Sequence, residues 1–264
     1  MDIYRAGRWP EAIGAWLQSP TVDLQPFSSM GAEALLLVPA LGLIAAAWRT
    51  QLPLLRGVLG KWRVRRVLRR LGVEAAHDLL LPRANRAGWT QLDHVARLPD
   101  RLLVIETKSL GGRLSGSADE RTWTQRFGPC QISFLNPLWQ NALHLETVRA
   151  LTGPGVRVEG MVVLAGRGWF DAGLPAGCYR LGGLRRRLVE LGAVACVGEP
   201  KRRRLDAAWR SILAAASRRW RDRRRHVDDI EAAHGRQGSL AARVTRAIGF
   251  GIAAGVLLGL YLTA

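Results

Sequence analysis

Residues 91–112, QLDHVARLPDRLLVIETKSLGG, hold two runs of alternating apolar character, joined at LPDR and closed by a glycine pair. Alternation interrupted by a Pro-Asp reversal constrains a chain to two neighbouring antiparallel strands. Every second side chain of a strand shares a face, so Leu102, Val104, Glu106 and Lys108 project together, away from Leu103, Ile105 and Thr107. With the reversal near Pro99, Asp93 falls opposite Ile105 or Glu106, where cross-strand Cβ atoms are about 4.5–5.5 Å apart. Two carboxylates and an ammonium then converge on one patch of a strand pair that is otherwise apolar.

That convergence has a chemical reading. Two close carboxylates repel, and a hard divalent cation relieves the repulsion. Asp93 and Glu106 are therefore candidate metal ligands, with the backbone carbonyl of Thr107 as a further oxygen. Mg²⁺ or Mn²⁺ so held suits phosphodiester cleavage, because it polarises the phosphoryl oxygen and lowers the pKa of an attacking water. Lys108 beside it would orient that water or stabilise the charged transition state. The competing reading is an ion pair across a hairpin with no catalytic role.

The flanking segments predict an α/β layer fold. Residues 57–71 place Val58, Trp62, Val64, Val67, Leu68 and Leu71 at helical spacing on an otherwise basic surface. HDLLLP (77–82) reads as a short strand, with a turn around Asn85 to Gly88. GGRLSG (111–116) breaks the second run and leads into a loop with Trp123. NPLWQNALHLETVRALTG (136–153) carries helix signals: Asn136 to cap, Pro137 in the first turn and Gly153 to end it. VEGMVVLAG (158–166) suits the middle of a sheet. A strand near CYRL and a helix from about Leu184 to Leu191 complete the alternation.

The formal net charge of +18 predicts attraction to polyanions. Residues 201–225 hold eleven Lys or Arg against two acids and read as one long basic helix. A solvated face, anionic lipid headgroups and a nucleic-acid backbone compete as its role. The three cysteines, Cys130, Cys178 and Cys196, form neither metal spacing nor a disulfide framework. Two uncharged runs, 34–48 and 247–264, are candidate membrane spans. The eight basic residues from Arg49 to Arg70, with no acids among them, and Arg236, Arg243 and Arg246 place residues 49–246 on the cytoplasmic side of a bacterial-type inner membrane. Gly251, Gly255 and Gly259 line one face of the second run, a strip along which a second copy could pair. The expected divisions are 1–49 with an N-terminal span, a domain at 50–197, a basic helical segment at 198–246 and a C-terminal span at 247–264.

The ordered set QLDH (91–94), IETKS (105–109), GGRLSG (111–116), Trp123 and NPLWQN (136–141) resembles the NERD (nuclease-related) domain of the PD-(D/E)xK nuclease superfamily, over about Gly57 to Ala165. The resemblance implies a restriction-endonuclease-like mixed central sheet flanked by helices. It also implies Asp93 and Glu106 as metal ligands, Lys108 as the catalytic lysine and Gln140 near the metal site. His94 points away from Asp93 along its strand, and an ordinary packed or solvated role is the simpler account of His144. The family's first helix carries a string like GxxGExxV, whereas this chain has GVLGKWRV, so Lys61 stands in place of an acid. Ser109 stands where the family often has Asn.

The leading expectation is a membrane-anchored, cytoplasm-facing nuclease, dependent on Mg²⁺ or Mn²⁺, acting on DNA. An inactive nuclease fold tethering nucleic acid or protein to the membrane is the alternative, favoured by Lys61. A third possibility is a protein whose business is the lipid itself.

Overall fold

The computed structural model describes residues 55–84, 87–192 and 197–234, together with Gly42, Ala45, Leu52, Gly251 and Gly255. Residues 1–50 with 240–264 form one compact unit and residues 51–239 another. The second unit holds all the structure that follows.

The expected strand pair is present. β2 (Trp89–Arg97) and β3 (Leu102–Lys108) run antiparallel in the register Arg97↔Leu102 to His94↔Ile105. β1 (Glu74–Pro82) pairs antiparallel with the outer side of β2. β7 (Val158–Leu164) runs parallel to β3, and β9 (Cys178–Tyr179) parallel to β7. The result is a mixed five-stranded sheet in the order β1-β2-β3-β7-β9.

Helices cover both faces because the central strands are apolar on both. On one face, helix α1 (residues 55–70) buries Val64 and Leu68, and α3 (Leu181–Gly192) buries Leu184, Leu188 and Leu191. These meet Ala96, Leu103, Ile105, Met161 and Val163 of the sheet. On the other face lie α2 (Pro137–Thr152) and α4 (Glu199–Ala215), packed over Leu92, Val95, Leu102 and Val104.

The capping signals of α2 act as expected. Asn136 Oδ1 accepts from the Leu138 amide at 2.9 Å, while its Nδ2 donates to the carbonyls of Ser117, Ala118 and Glu120. The helix is pinned to the sheet by Asn141, whose Nδ2 donates to Val104 O at 3.2 Å and Met161 O at 3.1 Å. Gly160 makes this approach possible: a Cβ there would stand 2.9 Å from Asn141 Nδ2 and 2.8 Å from Leu145.

Several expectations are corrected. GGRLSG does not simply lead into a loop; it contains β4 (Arg113–Ser115), and Trp123 lies in β5 (Thr122–Phe127). With β6 (Cys130–Leu135) and β8 (Trp169–Phe170) they build a second sheet, ordered β6-β5-β4-β8, around the fully buried Trp123. The basic stretch 201–225 is not one helix. α4 ends at Ala215, and α5 (Trp220–His234) begins after a break in which the Ser217 amide donates to Leu80 O. Nor is 198–246 structurally separate over its described part: Leu205, Ala208, Trp209 and Ile212 join the sheet's core. Trp209 Nε1 also donates to Glu74 Oε1 at 2.8 Å, and Arg97 pairs with Asp206.

Among the described residues no helix is long and apolar enough to cross a membrane. The two expected spans, 34–48 and 247–264, lie almost wholly outside the described residues, as do Cys196 and Gly259. Gly251 and Gly255 are helical and exposed.

Candidate active site

The β2–β3 ladder stops after His94↔Ile105, and the two strands part. At the point of parting, Asp93 reaches across with its side chain: Oδ2 accepts from the Thr107 amide at 2.8 Å, in place of a ladder bond. The pleat also slips there. Ala76 and Leu79 of β1 face the same core cluster, as do Leu92 and Val95 of β2, although each pair is three residues apart. Asp78 sits at the slip with φ of 51°, a left-handed conformation that a non-glycine residue adopts at a cost of order 1–3 kcal/mol.

Asp93, Glu106, Lys108 and Gln140 line one cleft of about 960 Å³. Lys108 Nζ lies 2.9 Å from Glu106 Oε1 and donates to Gln140 Oε1, also at 2.9 Å. Thr107, expected to contribute its carbonyl, meets the site through its amide, and its buried hydroxyl has no partner. His94 is turned away as expected, with Nδ1 2.8 Å from His77 Nδ1.

Burial first, then the charge of Glu106, pushes the Asp93 carboxyl above its ordinary value, against the pull of Lys61. Burial acts on Glu106 in the same sense. There the neighbouring His144 and the Lys108 ammonium outweigh it and hold the carboxyl below the ordinary glutamate value. The environment therefore drives the two acids apart, with Glu106 the more readily ionised.

The remaining residues were harder to foresee. His144 enters the site, with Nε2 3.4 Å from Glu106 Oε2 but out of line for a hydrogen bond, and Nδ1 3.0 Å from Thr90 Oγ1. Its position one turn beyond Gln140 was the only sequence signal. Trp139, Leu143 and Leu135 form an exposed apolar wall of the cleft, and Arg83 and Arg121 add positive charge. His226 of α5 reaches in from a segment with no motif at all.

Lys61, which departs from the family's first-helix acid, meets the site directly. Its ammonium lies 2.6 Å from Asp93 Oδ1 and 3.4 Å from Asp78 Oδ1. Burial pulls it toward neutrality, but Asp93 and then Asp78 outweigh that and hold it charged above the ordinary lysine value. Gly60 brings it there. A Cβ on Gly60 would stand 2.2 Å from Ser109 Oγ and 3.3 Å from Ala165, so a larger residue there would have to turn the Ser109 hydroxyl aside and ease α1 away from the end of β3.

Residues 56–165 match the family model NERD, nuclease-related domain. The motif resemblance is thus shown over that segment, and the PD-(D/E)xK superfamily is consistent with it. A curated relative, an uncharacterized protein of Bacillus anthracis, is 28% identical over 119 residues. The match covers 44% of this chain and 56% of the relative, so the chain spans about half the length of the protein it matches. All five elements of the ordered motif set fall within the NERD segment, as do Lys61 and His144.

A divalent cation in this cleft would need carboxylate oxygens free to bind it. Asp93 has one oxygen on Lys61 and the other on the Thr107 amide, while Glu106 has one on Lys108. Among the described residues, Glu106 Oε2 is the one buried carboxylate oxygen without a hydrogen-bond partner. Among the described residues no group of three or more His, Cys, Asp or Glu is arranged to hold a metal ion. As it stands, the donor set does not fit one.

Proposed function

We propose that the cleft of the NERD segment binds a nucleic-acid backbone, DNA in the first instance, and hydrolyses its phosphodiester bonds. The observation that carries this reading is the meeting of Glu106, Lys108 and Gln140, with Lys108 Nζ held between the two side-chain oxygens and Asp93 on the same wall. Lys108 is placed to offset charge that develops on a phosphoryl group, where a fixed cation lowers the barrier most. The Gln140 amide nitrogen can hold a phosphate oxygen or the attacking water. Glu106, the more acidic carboxyl, has Oε2 available to take the proton of that water.

The Mg²⁺ or Mn²⁺ expected from the sequence belongs to this proposal only with Lys61 displaced. Asp93 and Glu106 would then be the residues to hold it, and it would supply Lewis-acid polarisation of the phosphate. We also infer a restriction-endonuclease-like fold and attachment to the cytoplasmic face of a membrane, the latter supported by the apolar runs and their basic flanks.

The test is cleavage of single- and double-stranded DNA by the full chain, with Mg²⁺, Mn²⁺ or chelator. Cleavage that falls by about 10²–10³ in Glu106→Ala and in Lys108→Ala supports hydrolysis here. Cleavage indifferent to both changes would refute it. A second reading, binding without hydrolysis, is favoured by the Lys61–Asp93 pair. Retention of DNA without cleavage under every metal condition would select it.

A further inference from the structure

The two buried acids of the cleft each have a lysine of their own. Asp93 is paired with Lys61 at 2.6 Å, and Glu106 with Lys108 at 2.9 Å. The quartet is neutral, so it offers a divalent cation no net negative charge, and the Asp93 oxygens are both engaged. An ordinary surface ion pair contributes little and is easily broken. This pair differs, because the Asp93 side chain is 8% exposed and Lys61 is held by Asp78 as well.

We propose that Lys61 is a resident cation of the site: its ammonium takes the place at Asp93 that a divalent metal would need, so metal binding here is a competition with the protein's own side chain. The proposal rests on the cleft being the nuclease-related site but not on hydrolysis occurring there. Lys61 has a second acceptor in Asp78, an exposed carboxylate that also accepts from Gln91 Nε2. An ammonium that leaves Asp93 therefore keeps Asp78, which it already touches at 3.4 Å. The lysine behaves as a tethered counterion with two acceptors. A metal at Asp93 has to push it onto Asp78 alone.

The experiment uses the full chain and Mn²⁺ alone, with unbound Mn²⁺ counted by electron paramagnetic resonance. The parent is expected to bind weakly at this site. Lys61→Met and, as a second truncation, Lys61→Gln are each expected to bind one Mn²⁺ about tenfold more tightly or better. Lys61→Arg should resemble the parent. Adding Asp93→Asn to Lys61→Met should abolish the gain. Circular dichroism and a thermal melt establish that each variant is folded. Parent-like binding in folded Lys61→Met and Lys61→Gln would overturn the proposal, as would a gain that survives Asp93→Asn. If Mn²⁺ binding rises as expected and no variant cuts DNA, the hydrolase reading falls and this one stands.

Discussion

The two ends of the β2–β3 hairpin both bury charge, and they bury it in opposite ways. At the turn, Arg101 donates twice to Asp100, at 2.7 and 2.8 Å, and once to Glu159 at 2.7 Å. The turn is closed by the Leu98 amide on Arg101 O. At the other end the ladder is unfinished, Asp78 is strained, and Glu106 Oε2, Thr107 Oγ1 and His144 Nε2 have no hydrogen-bonding partners. The turn's hydrogen bonds hold Asp100 below the ordinary carboxylate value, whereas burial raises Asp93 above it. One end is built to be stable. The other keeps buried polar atoms uncommitted, as a site for chemistry does.

The sharpest way to break this contrast is to remove one charge from each end. Arg101→Ala removes both short hydrogen bonds of the buried Asp100 and leaves it only Arg157 at 3.9 Å, while Glu159 keeps Arg157 at 2.6 Å. It should cost about 2–3 kcal/mol in denaturant unfolding. Glu106→Gln should cost under about 1 kcal/mol, since the Lys108 ammonium it leaves behind is partly exposed and can be hydrated. Equal losses at both ends would dissolve the distinction. Within the cleft, Trp139→Ala should weaken binding of single-stranded DNA by about 1–3 kcal/mol, the range of a lost stacking platform, and of duplex much less. Fluorescence anisotropy with matched oligonucleotides separates the two.

The pH response sharpens the comparison further. Burial, and then its neighbour His77, pushes His94 from its ordinary 6.5 to about 3. Its folded pKa lies below its unfolded one, so its contribution is complete above 6.5 and is lost as pH falls from there toward about 3. Asp100 is also depressed, so its contribution begins to fall only below its ordinary 3.8. His94→Asn should flatten stability between those limits, and Asp100→Asn only below 3.8, in urea melts across pH. Asp93 runs the other way: its raised pKa makes ionisation a cost to folding as pH rises through the ordinary range. Asp93→Asn removes that cost together with the pairing that holds Lys61 charged, so the two offset and stability at neutral pH should stay within about 1 kcal/mol of the parent, the smallest effect expected.

The hairpin, the cap at Asn136 and the buried strand at 158–164 were legible because each carries a local pattern. The small sheet was not, because Arg113–Ser115 is three residues long and β6 faces mostly solvent. The break at 216–219, ASRR, carries no Gly or Pro to signal it; the apolar positions Leu205, Trp209 and Ile212 end before it. Asp93, Glu106, Lys108 and Gln140 were readable as candidates from motif order. What could not be read was which acid would meet which lysine. That depends on the depth at which α1 docks, set by Gly60 against Ser109, and on a pleat slip at Asp78 that no glycine announces.

The early end of the β2–β3 ladder has a practical corollary. The cleft's charged floor lies where β2 and β3 cease to pair, while its rim is made of side chains from α2, α5 and β6. Trimming Trp139 or Leu143 would reshape the rim and leave the floor in place, so what the cleft admits and what it does to a guest can be altered separately.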